Sequence, residues 1–236
     1  DNNDAPNGSS LGGALKLFGG ATKTIDSCFF GNNLAGDGAS IYIDSSSAVI
    51  TNCFFDNNDV TNNGGDVFIT SLVSDTSKIE YCSFVNDTSA ASGAGIWIDS
   101  SFVLITRSTF SGCVGGTGSA IIQDGGAWVG LAYNTIVDNY NASGGAVYSN
   151  NGNMTLTGNI IAANTGSNED VSNASAGITS GGFNVIGDGQ STGNAVSWAA
   201  SDTTGTAAAP VDPLLHPLAY NATLWAPSHE PACLSP

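Results

Sequence analysis

Positive charge is nearly missing from this chain. Lys16, Lys23, Lys78 and Arg107 stand against twenty Asp and Glu, giving a net charge of −16 over 236 residues. Without a basic patch, nucleic acid is excluded as an ordinary partner. An anionic polysaccharide is excluded too, unless cations bridge it. Long apolar runs are also missing: none approaches the roughly 20 residues that a membrane-spanning helix needs. Proline is scarce until the end, since six of the seven lie in residues 190–236. Helix-friendly composition is lacking as well, because 31 residues are Gly and Ser, Thr and Asn are plentiful. That much turn chemistry argues for short strands and bends.

What is present is a repeat of about 26 residues, seen six times with a weak seventh. One row reads Gly12-Gly13-Ala14-Leu15, Gly38-Ala39-Ser40-Ile41, Gly64-Gly65-Asp66-Val67, Gly93-Ala94-Gly95-Ile96, Gly118-Ser119-Ala120-Ile121 and Gly144-Gly145-Ala146-Val147. A second reads Cys28-Phe29-Phe30, Cys53-Phe54-Phe55, Cys82-Ser83-Phe84, Ser108-Thr109-Phe110, Asn134-Thr135-Ile136 and Asn159-Ile160-Ile161. Three residues beyond that row's last apolar position comes a mostly Asx column: Asn33, Asn58, Asp87, Cys113, Asn139, Asn164. Apolar residues alternate after the Gly row, as in Ile41-Tyr42-Ile43 and Ile96-Trp97-Ile98, and this period of two marks strands. Like residues recurring in register suit a coil whose successive turns pair in parallel. The predicted fold is all-β: a single right-handed parallel β-helix of six to seven coils over residues 1–189. An irregular closing segment, 190–236, is predicted to pack on the last coil, whose open sheet edge needs cover. Phe30, Phe55, Phe84 and Phe110 are expected as an interior aromatic stack. Asn33, Asn58, Asp87, Asn139 and Asn164 are expected as an interior ladder at a turn.

Cys28, Cys53 and Cys82 share one column of successive coils. Neighbouring strands about 4.8 Å apart permit a disulfide by distance, but the side chains point the same way, so a ladder of buried thiols is the alternative. Cys113 sits in the Asx column and Cys233 in the tail, and the odd count leaves one thiol unpaired or intermolecular in an oxidising compartment. Sequons at Asn7, Asn86, Asn141, Asn153, Asn173 and Asn221 allow N-glycosylation where the source cell performs it.

The alternation of Gly-Gly-Ala-apolar rows with Phe30-Gly31-Asn32-Asn33 and Phe55-Asp56-Asn57-Asn58 resembles the passenger domains of polymorphic outer-membrane proteins. The tail is similar to the choice-of-anchor β-helix surface proteins in two stretches, 181–187 (Gly-Gly-Phe-Asn-Val-Ile-Gly) and 212–218 (Asp-Pro-Leu-Leu-His-Pro-Leu). The resemblance covers nearly the whole chain and departs in the Cys column. It implies secretion, attachment at a cell surface and an adhesive or structural role, and no catalytic residues.

Two columns bear on chemistry. Asp44, Thr70, Asp99, Asp124 and Asn150 end the first strand of each unit. Asp99 and Asp124, about 5 Å apart on adjacent coils, suit turn formation, a Ca²⁺ site, or the carboxylate pair of a retaining glycoside hydrolase. No basic cluster supports lyase chemistry. Beside that column, Tyr42, Phe68, Trp97 and Tyr148 should face outward as an aromatic stripe. A neighbouring Gly-rich turn, a protein partner or a glycan would cover it. The expectation is a non-enzymatic extracellular protein, a surface adhesin or the subunit of a surface filament. It would need no cofactor beyond a Ca²⁺ at most, and would self-associate or meet other surface proteins. The alternative is a glycan-binding or glycan-hydrolysing protein.

Overall fold

The structure, a computed structural model, describes residues 10–70, 75–166, 170–175, 177–190, 193, 195–220 and 227–229. Asn7, Asn221 and Cys233 lie outside the described residues. The chain winds into a parallel β-solenoid with four strands per coil, so like strands stack into four sheets. The first sheet runs from Leu15–Phe18 and Ile41–Asp44 up to Val171–Asn173, and the second from Lys23–Asp26 to Gly177–Gly182. The third starts at Phe29–Gly31 and the fourth at Leu34–Ala35. Register follows the repeat: Leu15 pairs Ile41, Ile41 pairs Val67, and Val67 pairs Ile96.

Alternation within each strand decides the core. Ile41 and Ile43 are fully buried while Tyr42 between them is half-buried. On the third sheet the inward Phe column is a face-to-face stack. Phe30–Phe55, Phe55–Phe84 and Phe84–Phe110 stand 5.0, 4.5 and 4.6 Å apart with interplanar angles of 8°, 2° and 1°. Ile136, Ile161 and Ile186 continue it, all fully buried.

The corners are single left-handed residues. Ser27, Asn52, Tyr81, Arg107, Tyr133, Gly158 and Phe183 turn the second sheet into the third, with φ between 50° and 64°. Asn32, Asn57, Asn86, Gly112, Asp138 and Ala163 turn the third into the fourth. The Gly row closes each coil. At Gly65 a Cβ would fall 1.7 Å from the Ala94 carbonyl oxygen of the next coil, so no side chain fits there.

Two polar ladders run through the interior. In each, an Asn donates both its backbone N–H and its Nδ2 to the Oδ1 of the Asn one coil on. The first links Asn33 to Asn58 and Asn58 to Asp87, then restarts as Cys113, Asn139, Asn164 and ends on Asp170. The second links Asn134, Asn159 and Asn184 and ends on Asp202, whose Oδ1 accepts both donors of Asn184 at 2.9 Å. The Cys column is the beginning of this second ladder. Asn134 Nδ2 and Asn159 Nδ2 reach the carbonyls of Ile105 and Leu131, while the Cys53 and Cys82 thiols reach those of Ile25 and Ile50 at 3.8 and 3.7 Å. A thiol is a weaker donor filling the same place.

The closing segment divides in two. Residues 195–211 cover the last coil: Val196 is buried, Trp198 packs on the core and donates Nε1–H to Gly189 O, and Thr203–Thr204 adds a strand to the third sheet. Residues 212–220 and 227–229 instead lie along the outer face of that sheet as a strap. Ser83 Oγ donates to Pro227 O at 2.6 Å, His229 Nε2 meets Ser111 Oγ at 3.0 Å, and Tyr220 sets its ring edge-on to Phe54. Ala219–Tyr220 pairs antiparallel with Pro227–Ser228 within the strap.

Candidate functional site

Asp99 and Asp124 are register partners on adjacent coils, as the repeat required. Both are occupied with their own corners. Asp124 Oδ1 accepts Gly125 N–H at 2.8 Å and Asn150 Nδ2–H at 3.0 Å, and Asp99 Oδ1 accepts the Ser100 hydroxyl at 2.9 Å. The Asp99 carboxylate also stands where a Cβ on Gly125 would be, 1.6 Å from its Oδ1. These are Asx-type turn bonds. Among the described residues no group of three or more His, Cys, Asp or Glu is placed to hold a metal ion.

Three rings of the stripe on the first sheet stack in succession, and Ile122 separates Trp97 from Tyr148. Tyr42 and Phe68 are 5.1 Å apart at 8°, Phe68 and Trp97 are 6.1 Å apart at 11°, and Lys16 Nζ stands 5.4 Å over Tyr42. Every one of Tyr42, Phe68, Trp97 and Tyr148 is half-buried. The cover comes from the Gly row: a Cβ on Gly64 would meet Phe68 at 2.0 Å, and one on Gly144 would meet Tyr148 at 2.9 Å. The stripe therefore leans on the turn beside it and shows one flank to solvent.

The sequons separate by burial. Asn86 and Asn153 are exposed, whereas Asn141 and Asn173 are buried, and Asn141 Nδ2 donates to Gly144 O inside the coil. Of the thiols, Cys28 is exposed and Cys53, Cys82 and Cys113 are buried, all four free. Burial pushes the Cys82 and Cys113 thiols well above their ordinary value, which keeps them protonated and inert.

Three features escaped the sequence reading. The first is a buried carboxyl pair. Asp66 Oδ1 accepts the Ser40 hydroxyl at 3.2 Å, and Asp87 Oδ1 accepts Asn58 N–H at 2.9 Å. Both residues are fully buried, and as carboxylates their Oδ2 atoms have no partner. Burial pushes Asp87 up to about 7 and Asp66 well above the usual range, the two carboxyls hydrogen-bonding each other. A proton held by the pair leaves one buried charge in place of two. The signal was legible in principle, as an Asp in an Asn column beside an Asp in a small-residue column.

The second is a ridge on the left-handed corner between the second and third sheets. Tyr81, Tyr133 and Phe183 are 44, 59 and 74% exposed, and the Arg107 guanidinium lies 5.6 Å from both Tyr81 and Tyr133. Bulky residues at positive φ are unusual, so these positions did not read as corners.

The third is a hollow of about 290 Å³ at the N-terminal end of that ridge, where the corner residues shrink to Ser27 and Asn52. Cys28, Phe29, Phe54 and the strap's Tyr220 complete its lining. A second cavity, about 300 Å³, lies further along the strap against Val137, Asp138, Ala163, His216 and His229. Neither is lined by Asp99 or Asp124. No protein-family model, no curated protein and no solved structure matches the chain.

Proposed function

We propose that this is a non-enzymatic extracellular protein of adhesive or structural type, a rigid acidic rod whose outer faces make its contacts. The observation that carries this reading is the unbroken Tyr42–Phe68–Trp97 stack on one face of a parallel solenoid. Rigid rings with one wet flank are the side chains that protein interfaces favour. The interior supports the same reading, since the two Asn ladders and the Phe stack commit its polar and aromatic groups to holding coils together. Asp99 and Asp124 are engaged in turn bonds rather than facing a cavity, which disfavours hydrolysis there. The net charge of −16 favours partners without strong negative charge. A glycan stacked on the exposed flank of Tyr42, Trp97 and Tyr148 is the second reading, favoured by the same row.

Negative-stain electron microscopy of concentrated native protein is the direct test, with Trp97→Ala beside it. Fibres or stacked rods that Trp97→Ala disperses support a self-associating structural subunit. Dispersed rods that bind neither glycans nor cell surfaces would overturn the adhesive reading.

A further inference from the structure

The hollow at the first two corners combines tilted aromatic walls with a carboxylate bonded to its polar wall. Its walls are rings set at steep angles. Phe29 and Phe54 are 5.3 Å apart and tilted by 50°, and Phe54 and Tyr220 are 6.0 Å apart and perpendicular. Phe29 is 56% and Tyr220 71% exposed, so two of the three lining rings are open to solvent. Behind the polar wall stands a carboxylate. Asp26 accepts Asn52 Nδ2–H at 2.8 Å and Thr51 Oγ1–H at 2.6 Å on Oδ1, and the Ser27 hydroxyl at 3.1 Å on Oδ2. Those hydrogen bonds, with Thr51 first, then Asn52 and Ser27, hold its carboxyl below the ordinary value, so it is ionised at neutral pH.

From this geometry we infer that Phe29, Phe54 and Tyr220, with Asp26 behind Ser27 and Asn52, form a cage for a quaternary ammonium group. A cation is drawn to ring faces by their quadrupole, and an ammonium carrying methyl groups also buries apolar surface against them. An anion meets Asp26 in a protein of net charge −16 and is repelled. Among the described residues no lysine or arginine lines the hollow, and Lys23 Nζ donates to Gly19 O while Arg107 lies between Tyr81 and Tyr133. The volume, about 290 Å³, lies at the small end of ligand sites, which suits a headgroup and not a chain. The inference goes beyond the adhesive reading and survives if that reading fails. It gives the strap a purpose: Tyr220 supplies the third wall.

The test is calorimetric titration of the intact protein with choline and with its uncharged isostere 3,3-dimethyl-1-butanol. Nα-acetyl-trimethyl-lysine amide is a third probe, separating a free or lipid headgroup from a modified lysine as the source. Choline or the lysine derivative should bind at least about tenfold more tightly than the isostere. Phe29→Ala and Tyr220→Ala, both at exposed rings and harmless to the core, should each weaken binding by about tenfold, and Trp97→Ala should leave it unchanged. Equal affinity for the isostere would show an apolar hollow only and overturn the cage. So would binding of neither cation, or binding that survives both ring substitutions. None of these results bears on fibre formation, which tests the adhesive reading separately.

Discussion

Substituting Asp87 by Asn should make this protein more stable at neutral pH and less sensitive to pH. In the unfolded chain the Asp87 carboxyl loses its proton near the ordinary 3.8, whereas in the folded chain burial holds it until about 7. The folded state therefore binds more protons than the unfolded state throughout that window. Stability from this site is full below pH 4, falls as pH rises toward 7, and levels off above it. Linkage converts the displacement to ~4 kcal/mol lost across the window. That is a large share of the 5–15 kcal/mol that holds a typical domain together. Asp66 shares the proton, so the loss belongs to the pair. Asp56 adds to the rise at Asp87, and the neighbouring Cys113 thiol stays neutral. Asn at position 87 keeps the oxygen that Asn58 donates to, removes one buried charge, and offers an N–H toward Asp66. Guanidinium unfolding at pH 4.5, 6, 7 and 8.5 measures the effect in both proteins. The wild-type midpoint should fall with rising pH more steeply than that of Asp87→Asn, the two curves diverging by several kcal/mol above pH 7. Parallel curves between pH 4 and 8 would refute a shared proton.

Other substitutions separate the ladders from their surroundings. Asn159→Ala removes the acceptor of Asn134 N–H and Nδ2–H and the donor to Leu131 O, all buried. It should cost ~3 kcal/mol or more in denaturant unfolding. Gly65→Ala would push a methyl group to within 1.7 Å of Ala94 O and should abolish soluble folded protein, whereas Gly20→Ala meets nothing within 4 Å and should shift stability by less than ~0.5 kcal/mol. In folded protein secreted from a glycosylating cell, peptide mass spectrometry should find sugar at the exposed Asn86 and Asn153 and none at the buried Asn141 and Asn173. Sugar at Asn141 would contradict its placement inside the coil.

The period was the strong signal. The Gly row, the alternating strands and the Phe column are chemically uniform along the chain, and each became what its pattern demanded. A column held together by role rather than by residue type showed its register but not its role. Cys28, Cys53, Cys82, Ser108, Asn134 and Asn159 align in one row of the repeat, with Asn184 in the weak seventh. Their letters, thiol, hydroxyl and amide, do not announce one hydrogen-bonded ladder. The fourth sheet was hidden for a different reason: strands as short as Leu34–Ala35 and Asp59–Val60 carry no alternation. The corner ridge was hidden because Tyr, Arg and Phe do not announce a left-handed residue. The strap is invisible to any local pattern, since Ser83 to Pro227 spans 144 residues.

The direction of the ladders explains where this rod should open first. Each Asn accepts from the coil before and donates to the coil after, so the last member needs only to accept. Asp170 and Asp202 fill that place at the C-terminal end. Asp87 fills it too early. Its side chain has nothing to donate onward as a carboxylate, and Cys113 in the next coil has no oxygen to receive the Asp87 N–H. At the same level the other ladder crosses from Cys82 to Ser108 on one bond, Cys82 N–H to Ser108 Oγ at 3.1 Å. The first ladder is thus interrupted at this step and the second crosses it on a single bond, although the Phe84–Phe110 stack and the sheets continue across. In a solenoid, stability is a sum of nearest-neighbour interfaces, and a weak interface divides the array. Amides of the coils before the seam, such as those of Ile41–Asp44 and Phe54–Asp56, should exchange with solvent deuterium sooner than those of Ile121–Asp124 and Ile160–Ala162. The two groups should move as separate cooperative units. Asp87→Asn should narrow the gap between them, because it removes a buried charge beside the seam. Uniform protection across all coils, unchanged by that substitution, would show that the sheets and the Phe stack alone set the cooperativity.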